Sequence, residues 1–285
     1  MKVCLRRYRA VSGLLILGLW ACAFSTRADE KPRVVALAPH LAELVCAAGA
    51  CDTLVGRVAY TDYPDAVLAL PEVGNAFAVN LEALVALQPD LVLAWDGGTS
   101  AATTEQLQRV GLNVEAVQVE ALDDIAGALR SLGQRLGTET HALSAAAAYE
   151  RELARLRARY RGLPSVKVFY QIELQPMFSI SRRSPIGQAI ELCGAENLFA
   201  DLDGIAAPVN AEAVIARAPE VIVYSDHEDA EALHQWWQRF AAVPAVAKQQ
   251  LHAVPAELLA RATPRMLGGV RALCEAVDRA RAAHR

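Results

Sequence analysis

Side chains suited to binding a small ligand follow the predicted strands of this 285-residue chain, at the strand ends where parallel α/β sheets hold their ligands. The residues of these loops are His40, Tyr60, Asp62, Tyr63, Asn75, Phe77, Trp95, Asp96, Met177, Phe178, Arg182, Asp226, Glu257 and Arg261. This mixture of aromatic rings and polar groups suits a flat, mostly apolar ligand with polar edges. For each single aromatic residue, the competing interpretation is that the ring fills a domain core.

Motifs that carry catalysis are missing from the sequence. It has no nucleophile elbow, no glycine-rich phosphate loop and no HExxH motif, and its glycine pairs at 97–98 and 268–269 lack the third glycine of a dinucleotide site. We therefore expect a binding protein rather than an enzyme, with no cofactor. An exported α/β enzyme with His40 as base and Asp62 as its orienting group is the remote alternative. The six histidines are scattered, so no dedicated metal site is expected.

An internal repeat indicates the elements that position these loops. Residues 80–98 read NLEALVALQPDLVLAWDGG and residues 210–228 read NAEAVIARAPEVIVYSDHE, at an offset of 130. In each copy a short helical pattern stops before a proline, which lacks the amide hydrogen of the next turn, and an apolar strand follows. The repeat predicts two similar α/β units, with Glu82 and Glu212 in equivalent places.

The predicted fold class is α/β, with two Rossmann-like lobes whose mostly parallel central sheets are joined by one long rigid helix. Residues 29–137 form the N-terminal lobe, 138–162 the joining helix and 163–285 the C-terminal lobe. The helix contains no Pro or Gly up to residue 161 and would span about 36 Å. Further predicted strands are 33–38, 53–59, 112–119, 166–170 and 251–254, and further helices are 41–49, 103–110, 186–192, 231–242 and 266–283. Residues 39–40 are expected in a turn and residues 173–183 in a loop, while Trp236 and Trp237 are expected in the core or on a helix surface.

The N-terminus predicts export. Basic residues precede an apolar stretch at 11–20 and small residues follow, which is typical of a secretory signal peptide at 1–28. Cleavage after Ala23 also fits, and a lipid anchor at Cys22 is the competing interpretation, although Trp20 is bulky for a lipoprotein signal. We expect a periplasmic monomer. The net charge of −4 without a basic stripe argues against nucleic acid as a partner.

Four cysteines remain after the signal peptide, and three pairings of them are possible. A Cys46–Cys51 bridge would be short and local. A Cys193–Cys274 bridge would then close a long loop in the second half, which is where cross-linking stabilises most in the chain-entropy model. The alternative for Cys46 is a buried free thiol.

Several of these segments together resemble the cobalamin-binding periplasmic proteins of ABC importers, in the helical-spine class (class III) of periplasmic binding proteins. The resemblance covers almost the whole mature chain. Its signatures are RVVALAPHLAELVCAAG, YTDYP, VNLEALVALQPDLVLAWDGG, ELCGAENLF, AEAVIARAPEVIV and RATPR. The segment NLEALVALQPDLVLAW alone is shared with siderophore and haem binders. The resemblance implies a receptor that captures cobalamin or a related corrinoid between its lobes and delivers it to membrane permease subunits of an ABC importer.

The resemblance also implies roles for single residues. Tyr60, Trp95 and Phe178 match aromatic residues of the ligand pocket, and Glu257 falls where an aspartate reaches the ligand's amide edge. Glu82 and Glu212 match the glutamates that dock on the permease subunits, and Cys193–Cys274 matches a disulfide, which selects one of the three pairings.

The sequence also departs from the family pattern. Two pocket tryptophans of the family fall on Ala76 and Ala206 here, and Phe77 can replace only one of them. His40 is expected at the cleft, where it contacts the ligand or its metal, or else caps a loop. Haem or a ferric siderophore is the alternative ligand.

Overall fold

The structure is a computed structural model, and it describes residues 31–75 and 78–284. The predicted signal peptide, the possible lipid anchor at Cys22 and the predicted ligand residue Phe77 lie outside the described residues, as does Ala76. No helix of the described residues is long and apolar enough to cross a membrane.

The strands are β1 (Val34–Ala36), β2 (Leu54–Gly56), β3 (Leu91–Trp95), β4 (Val114–Val117), β5 (Lys167–Gln171), β6 (Phe178–Ile180), β7 (Glu196–Asn197), β8 (Ala206–Pro208), β9 (Val221–Ser225) and β10 (Leu251–Val254). The helices are α1 (Pro39–Ala47), α2 (Leu81–Ala86), α3 (Ala101–Arg109), α4 (Asp124–Leu136), α5 (Glu139–Tyr160), α6 (Pro185–Leu192), α7 (Ala211–Arg217), α8 (Ala230–Gln238), α9 (Pro244–Ala247), α10 (Ala256–Leu259) and α11 (Met266–Ala283). Single 3-10 turns occupy Cys51–Thr53 and Asp65–Val67.

Two four-stranded parallel sheets form the two lobes, as the alternation of strands and helices predicts. The N-terminal lobe has the strand order β2-β1-β3-β4, and the C-terminal lobe has the order β10-β9-β5-β7. Their interior strands are almost fully buried because helices cover both faces, which is why they read as unbroken apolar runs. The two repeat copies supply β3 and β9, each an interior strand of its sheet.

Helix α5 packs into one hydrophobic core that contains residues of both sheets. Its buried residues recur every three or four positions, from Ala142 to Tyr160, so one face of the helix lies against the lobes. The Tyr149 hydroxyl donates to the Leu122 carbonyl oxygen at 2.8 Å, which ties the helix to the N-terminal lobe. The helix therefore serves as shared core as well as connection. The lobe boundaries at 137 and 163 remain predictions.

Two local predictions were wrong, and one long helix was missed. Helix α1 begins at Pro39 rather than after a turn, because proline is well accommodated in the first turn, where its missing amide hydrogen has no helical partner. The segment 173–183 is not only a loop, since it contains β6, which pairs antiparallel with β8. Helix α4 was not predicted at all, although its apolar positions Ile125, Leu129, Leu132 and Leu136 follow a helical period and are buried.

Both disulfides are present in the structure. Cys46–Cys51 joins the end of α1 to the following 3-10 turn, and Cys193–Cys274 joins the end of α6 to α11 across 81 residues. The alternative of a free thiol at Cys46 is therefore wrong.

The two adjacent tryptophans of α8 differ in their burial. Trp237 is fully buried in the core of the C-terminal lobe, and its indole N–H donates to the Gln171 amide oxygen at 2.8 Å, whereas Trp236 packs at the edge of that core.

Candidate ligand-binding cleft

A cavity of about 230 Å³ is lined by residues of both lobes. Its principal lining residues are His40, Trp95, Asp96, Gly97, Val119 and Glu120 from the N-terminal lobe and Ile180, Arg183, Ile186, Ile205, Leu259 and Ala262 from the C-terminal lobe. A larger depression of about 470 Å³ lies wholly in the N-terminal lobe, beside the edge strand β4. It is more open and more polar, so the apolar cavity between the lobes is the better candidate for a flat organic ligand.

Trp95 ends β3 and reaches this cavity because the loop after it is unusually tight. The Trp95 backbone N–H donates to the Thr99 hydroxyl at 3.0 Å, which folds the loop back on the strand. A Cβ atom at Gly98 would lie 1.8 Å from the Trp95 ring atom Cε3, a distance that no side chain can occupy. Gly98 is therefore required for this position of the tryptophan ring.

His40 lies against Trp95 in the same cavity. The ring centroids are 5.1 Å apart and the rings are nearly perpendicular. The side chain sits in the first turn of α1 and is only 8% exposed. Burial, with a smaller contribution from the nearby Arg261 charge, lowers the pKa of His40 to about 4, so its imidazole is neutral at neutral pH.

An ion cluster joins the lobes next to this site; we call Glu43, Asp62, Arg261 and Arg265 the interlobe ion cluster. The Arg261 guanidinium donates to Glu43 Oε1 at 2.8 Å and also to both Asp62 carboxylate oxygens. Glu43 receives two further hydrogen bonds from the C-terminal lobe, from Thr263 at 3.1 Å and from Arg265 at 3.3 Å. The Glu43 side chain is 2% exposed, so its charge depends on these partners for compensation.

The same cluster shapes the YTDYP turn. Arg261 donates to the Tyr60 carbonyl oxygen at 3.0 Å, and Tyr60 adopts the left-handed conformation with φ of 63°. The Arg265 guanidinium lies 3.7 Å from the centroid of the Tyr63 ring, a cation–π contact. The hydrogen bond from Arg261 holds the pKa of Asp62 below its usual range, so this carboxylate remains charged at neutral pH. The motifs YTDYP and RATPR thus meet across the lobes.

The structure brings some of the predicted ligand residues together and leaves others apart. Of the predicted set, His40 and Trp95 line the cavity, while the Tyr60 side chain is 83% exposed beside the interlobe ion cluster. Phe178 is half-buried on β6. Glu257 lies on α10 with an oxygen 3.7 Å from His227 Nε2, outside the lining of the cavity.

Sequence reasoning missed most of the lining from the C-terminal lobe. Ile180 ends the unpredicted strand β6, and Arg183 lies three residues further along the chain. The alternation of residue types in this segment was the available signal for a strand. Leu259 and Ala262 are small or aliphatic residues, and their place in the cavity lining becomes apparent only in the tertiary structure, where α10 and the following residues face the N-terminal lobe.

Glu82 and Glu212 occupy matching places in the two lobes. Each lies in the first turn of its helix, and the preceding asparagine caps that helix, with Asn80 accepting from Ala83 at 3.1 Å and Asn210 from Ala213 at 2.8 Å. Both side chains are exposed. Neither carboxylate forms an ion pair with any residue that the structure describes.

Within residues 31–75 and 78–284, no group of three or more His, Cys, Asp or Glu side chains is arranged to hold a metal ion.

The chain belongs to the periplasmic binding protein family, whose model matches residues 34–258. It is 33% identical over 270 residues to the vitamin B12-binding protein of Vibrio cholerae, an alignment covering 92% of this chain and 97% of that protein. The crystal structure of the periplasmic vitamin B12-binding protein BtuF of Vibrio cholerae superimposes with a TM-score of 0.81 at 32% identity, over 88% of this chain and 98% of that one. A periplasmic haem-binding protein, BhuT, shares the fold with a TM-score of 0.77 at 24% identity, over 87% of this chain and 100% of that one. The predicted family resemblance is confirmed.

Proposed function

We propose that this protein is a periplasmic receptor that binds cobalamin or a related corrinoid between its lobes and delivers it to an ABC importer. The observation that carries the proposal is the apolar cavity lined by Trp95 and His40 from one lobe and by aliphatic residues from the other. Such a cavity suits the faces of a large flat ring. The names of the Vibrio cholerae relatives support the choice of corrinoid as that ring.

In this proposal the protein binds without chemistry. Contact with Trp95 and the aliphatic residues supplies most of the affinity, and the polar groups Asp96, Glu120 and Arg183 bind the ligand's edge. The cavity of about 230 Å³ is smaller than most ligand pockets, so a corrinoid must widen the cleft or extend beyond it. The interlobe ion cluster limits that widening. We therefore expect small lobe movements and release of the ligand only on docking to the importer.

We further propose that Glu82 and Glu212 dock on the two membrane permease subunits. Two exposed carboxylates that form no ion pair with the described part of the chain, one on each lobe, match a pair of cationic groups on a symmetric partner. Charge reversal of both, E82R with E212R, should leave corrinoid binding unchanged and abolish uptake into cells. Reversal of Glu150, a glutamate on α5 that pairs with Arg130, is the matched control and should not affect uptake.

Export follows from the proposed signal peptide at 1–28, with a lipid anchor at Cys22 as the alternative. Mass spectrometry of the mature protein separates the two, because a lipoprotein begins at a modified Cys22.

Titration of the mature protein with cyanocobalamin, followed by calorimetry and by tryptophan fluorescence, tests the ligand. We expect saturable binding with one ligand per chain. If titration gives no heat and no fluorescence change at micromolar concentrations, and protein from haem-supplied cells shows a haem Soret band, the ligand is haem and the corrinoid assignment is wrong.

A further inference from the structure

His40 is a buried polar side chain whose ring nitrogens form no hydrogen bond with the residues that the structure describes. The residue is 8% exposed and lines the cavity, yet neither ring nitrogen has a hydrogen-bond partner among residues 31–75 and 78–284. Buried side-chain atoms that are sealed from solvent without a partner belong to Arg57, Thr61 and Thr138, so the His40 nitrogens open into the cavity. A ligand that fills the cavity excludes water from these nitrogens, and because buried polar groups are nearly always paired, the ligand is expected to supply the partner.

The surroundings of His40 define what that partner can be. The Trp95 ring packs against the imidazole edge to face at 5.1 Å, and the adjoining helix residues Leu41 and Leu44 are fully buried. The ring is therefore presented by a rigid helix, with little freedom to turn toward solvent. The low pKa of about 4 keeps a nitrogen lone pair available at neutral pH. A neutral imidazole with a free nitrogen in an apolar site is a strong ligand for a transition metal.

We propose that His40 coordinates the cobalt of the bound corrinoid at an axial position that is otherwise filled by water. The proposal rests on the proposed function. In the binding step the bond from cobalt to water breaks, the bond from cobalt to the imidazole nitrogen forms, and the water leaves for solvent. The oxidation state of cobalt does not change.

A preference among corrinoids follows from this geometry. In complete cobalamin the lower axial position is filled by the ligand's own nucleotide base, whereas cobinamide-type corrinoids lack that base and carry water there. His40 replaces water readily but has to displace a tethered base. The receptor should therefore gain more affinity from His40 with an incomplete corrinoid than with cobalamin.

The test compares His40→Ala with a matched change, His252→Ala. His252 lies on β10, outside the cavity, and burial lowers its pKa to about 4 as well, but its Nε2 is already hydrogen-bonded to Gln250 at 3.0 Å. The ligands are diaquocobinamide and cyanocobalamin, each measured by calorimetry. We expect H40A to weaken diaquocobinamide binding about tenfold or more, which corresponds to about 1.4 kcal/mol, to change cyanocobalamin binding much less, and H252A to affect neither.

Spectroscopy separates coordination from simple packing. Diaquocobinamide should change its visible spectrum on binding to the wild type and to H252A but not to H40A, and its reduced Co(II) form should show electron paramagnetic coupling to one protein nitrogen. His40→Gln, which keeps size and polarity, provides a second variant should H40A fold poorly. Equal losses for both ligands, or bound spectra that are the same in wild type and H40A, would overturn coordination by His40. Absence of binding to either ligand by the wild type would instead overturn the proposed function.

Discussion

The two repeat copies have the same framework and different loops. In each, an asparagine caps a short helix, a glutamate lies in the first turn, and an interior parallel strand follows. Strand β3 ends at Trp95 and the chain continues Asp96-Gly97-Gly98, and Trp95, Asp96 and Gly97 line the cavity. The matching residues are Ser225, which ends β9, and Asp226, His227 and Glu228 after it, and none of these lines the cavity.

The difference shows which features duplication retains. Capping and strand burial are requirements of each lobe and persist in both copies. The glycine at 98 is needed only where a tryptophan turns back over the loop, so the copy with Ser225 in place of Trp95 has Glu228 in place of Gly98. The lobes also bring opposite charges to their contact: Glu43 and Asp62 from the N-terminal lobe meet arginines from the C-terminal lobe.

The largest expected contrast between the lobes concerns their disulfides. The Cys193–Cys274 loop is 81 residues long and the Cys46–Cys51 loop only 5. The chain-entropy model therefore predicts that the long-loop disulfide stabilises the fold by about 4.5 kcal/mol and the short-loop disulfide by about 2 kcal/mol. Serine replacements of each pair, compared by urea unfolding, measure the difference. Equal losses would show that loop length does not set their contributions.

The interlobe ion cluster comes next in size. Arg261→Ala leaves the buried Glu43 with fewer partners and should lower the free energy of unfolding by about 4 kcal/mol. It should also release the Tyr60 turn and weaken corrinoid binding. Arg130→Ala, which breaks an exposed pair with Glu150, is the control and should cost less than about 1 kcal/mol. If the two variants unfold at the same urea concentration, the cluster does not hold the lobes together.

Acid should destabilise the protein through its buried histidines. The folded-state pKa of His40 is about 4, below its ordinary value of 6.5, so the unfolded state binds more protons as the pH falls between these values. The contribution of His40 to the free energy of unfolding is therefore at its most favourable above pH 6.5. As the pH falls to 4, the free energy of unfolding decreases by up to about 3 kcal/mol. His40→Leu and His252→Leu should each flatten the pH dependence of unfolding in this window, because the pKa of each histidine is lowered to about 4 in the folded state. A wild-type profile that is flat from pH 7 to 4 would contradict the burial of His40.

The smallest expected effect on stability concerns the loops that follow the matching strands of the repeat. Gly98→Ala places a Cβ in the space of the Trp95 ring and should cost about 2 kcal/mol, while also weakening corrinoid binding by displacing that ring. Alanine at the matching position, Glu228→Ala, removes atoms from a partly exposed side chain and adds none, so it should change the free energy of unfolding by no more than about 0.5 kcal/mol. Chemical denaturation and calorimetry of both variants measure the two effects. A neutral Gly98→Ala would mean that the loop accommodates the methyl group.

Much of the fold was predictable because its signals are local. Strand β10 and helix α11 begin and end where the sequence predicts, and the periodicity of α5 identified it within two residues at each end. Helix α4 carried an equally clear apolar period and was simply overlooked. The strands β6 and β8 are three residues each and are stabilised by each other, so the alternation of residue types within β6 is too short to distinguish a strand from a loop.

The features of the candidate site also fall into those that local sequence predicts and those that depend on tertiary contacts. By itself the sequence determined the duplicated framework, the matched glutamates and the candidacy of Trp95 and His40, because caps, helical periods and strand ends are encoded within a few residues. Only the tertiary structure decided that Glu43 and Arg261 are partners, that Ile180, Arg183 and Leu259 complete the cavity and that Glu257 lies outside it. These contacts join residues that are far apart in the chain, and their geometry depends on how the two lobes and α5 pack into one core.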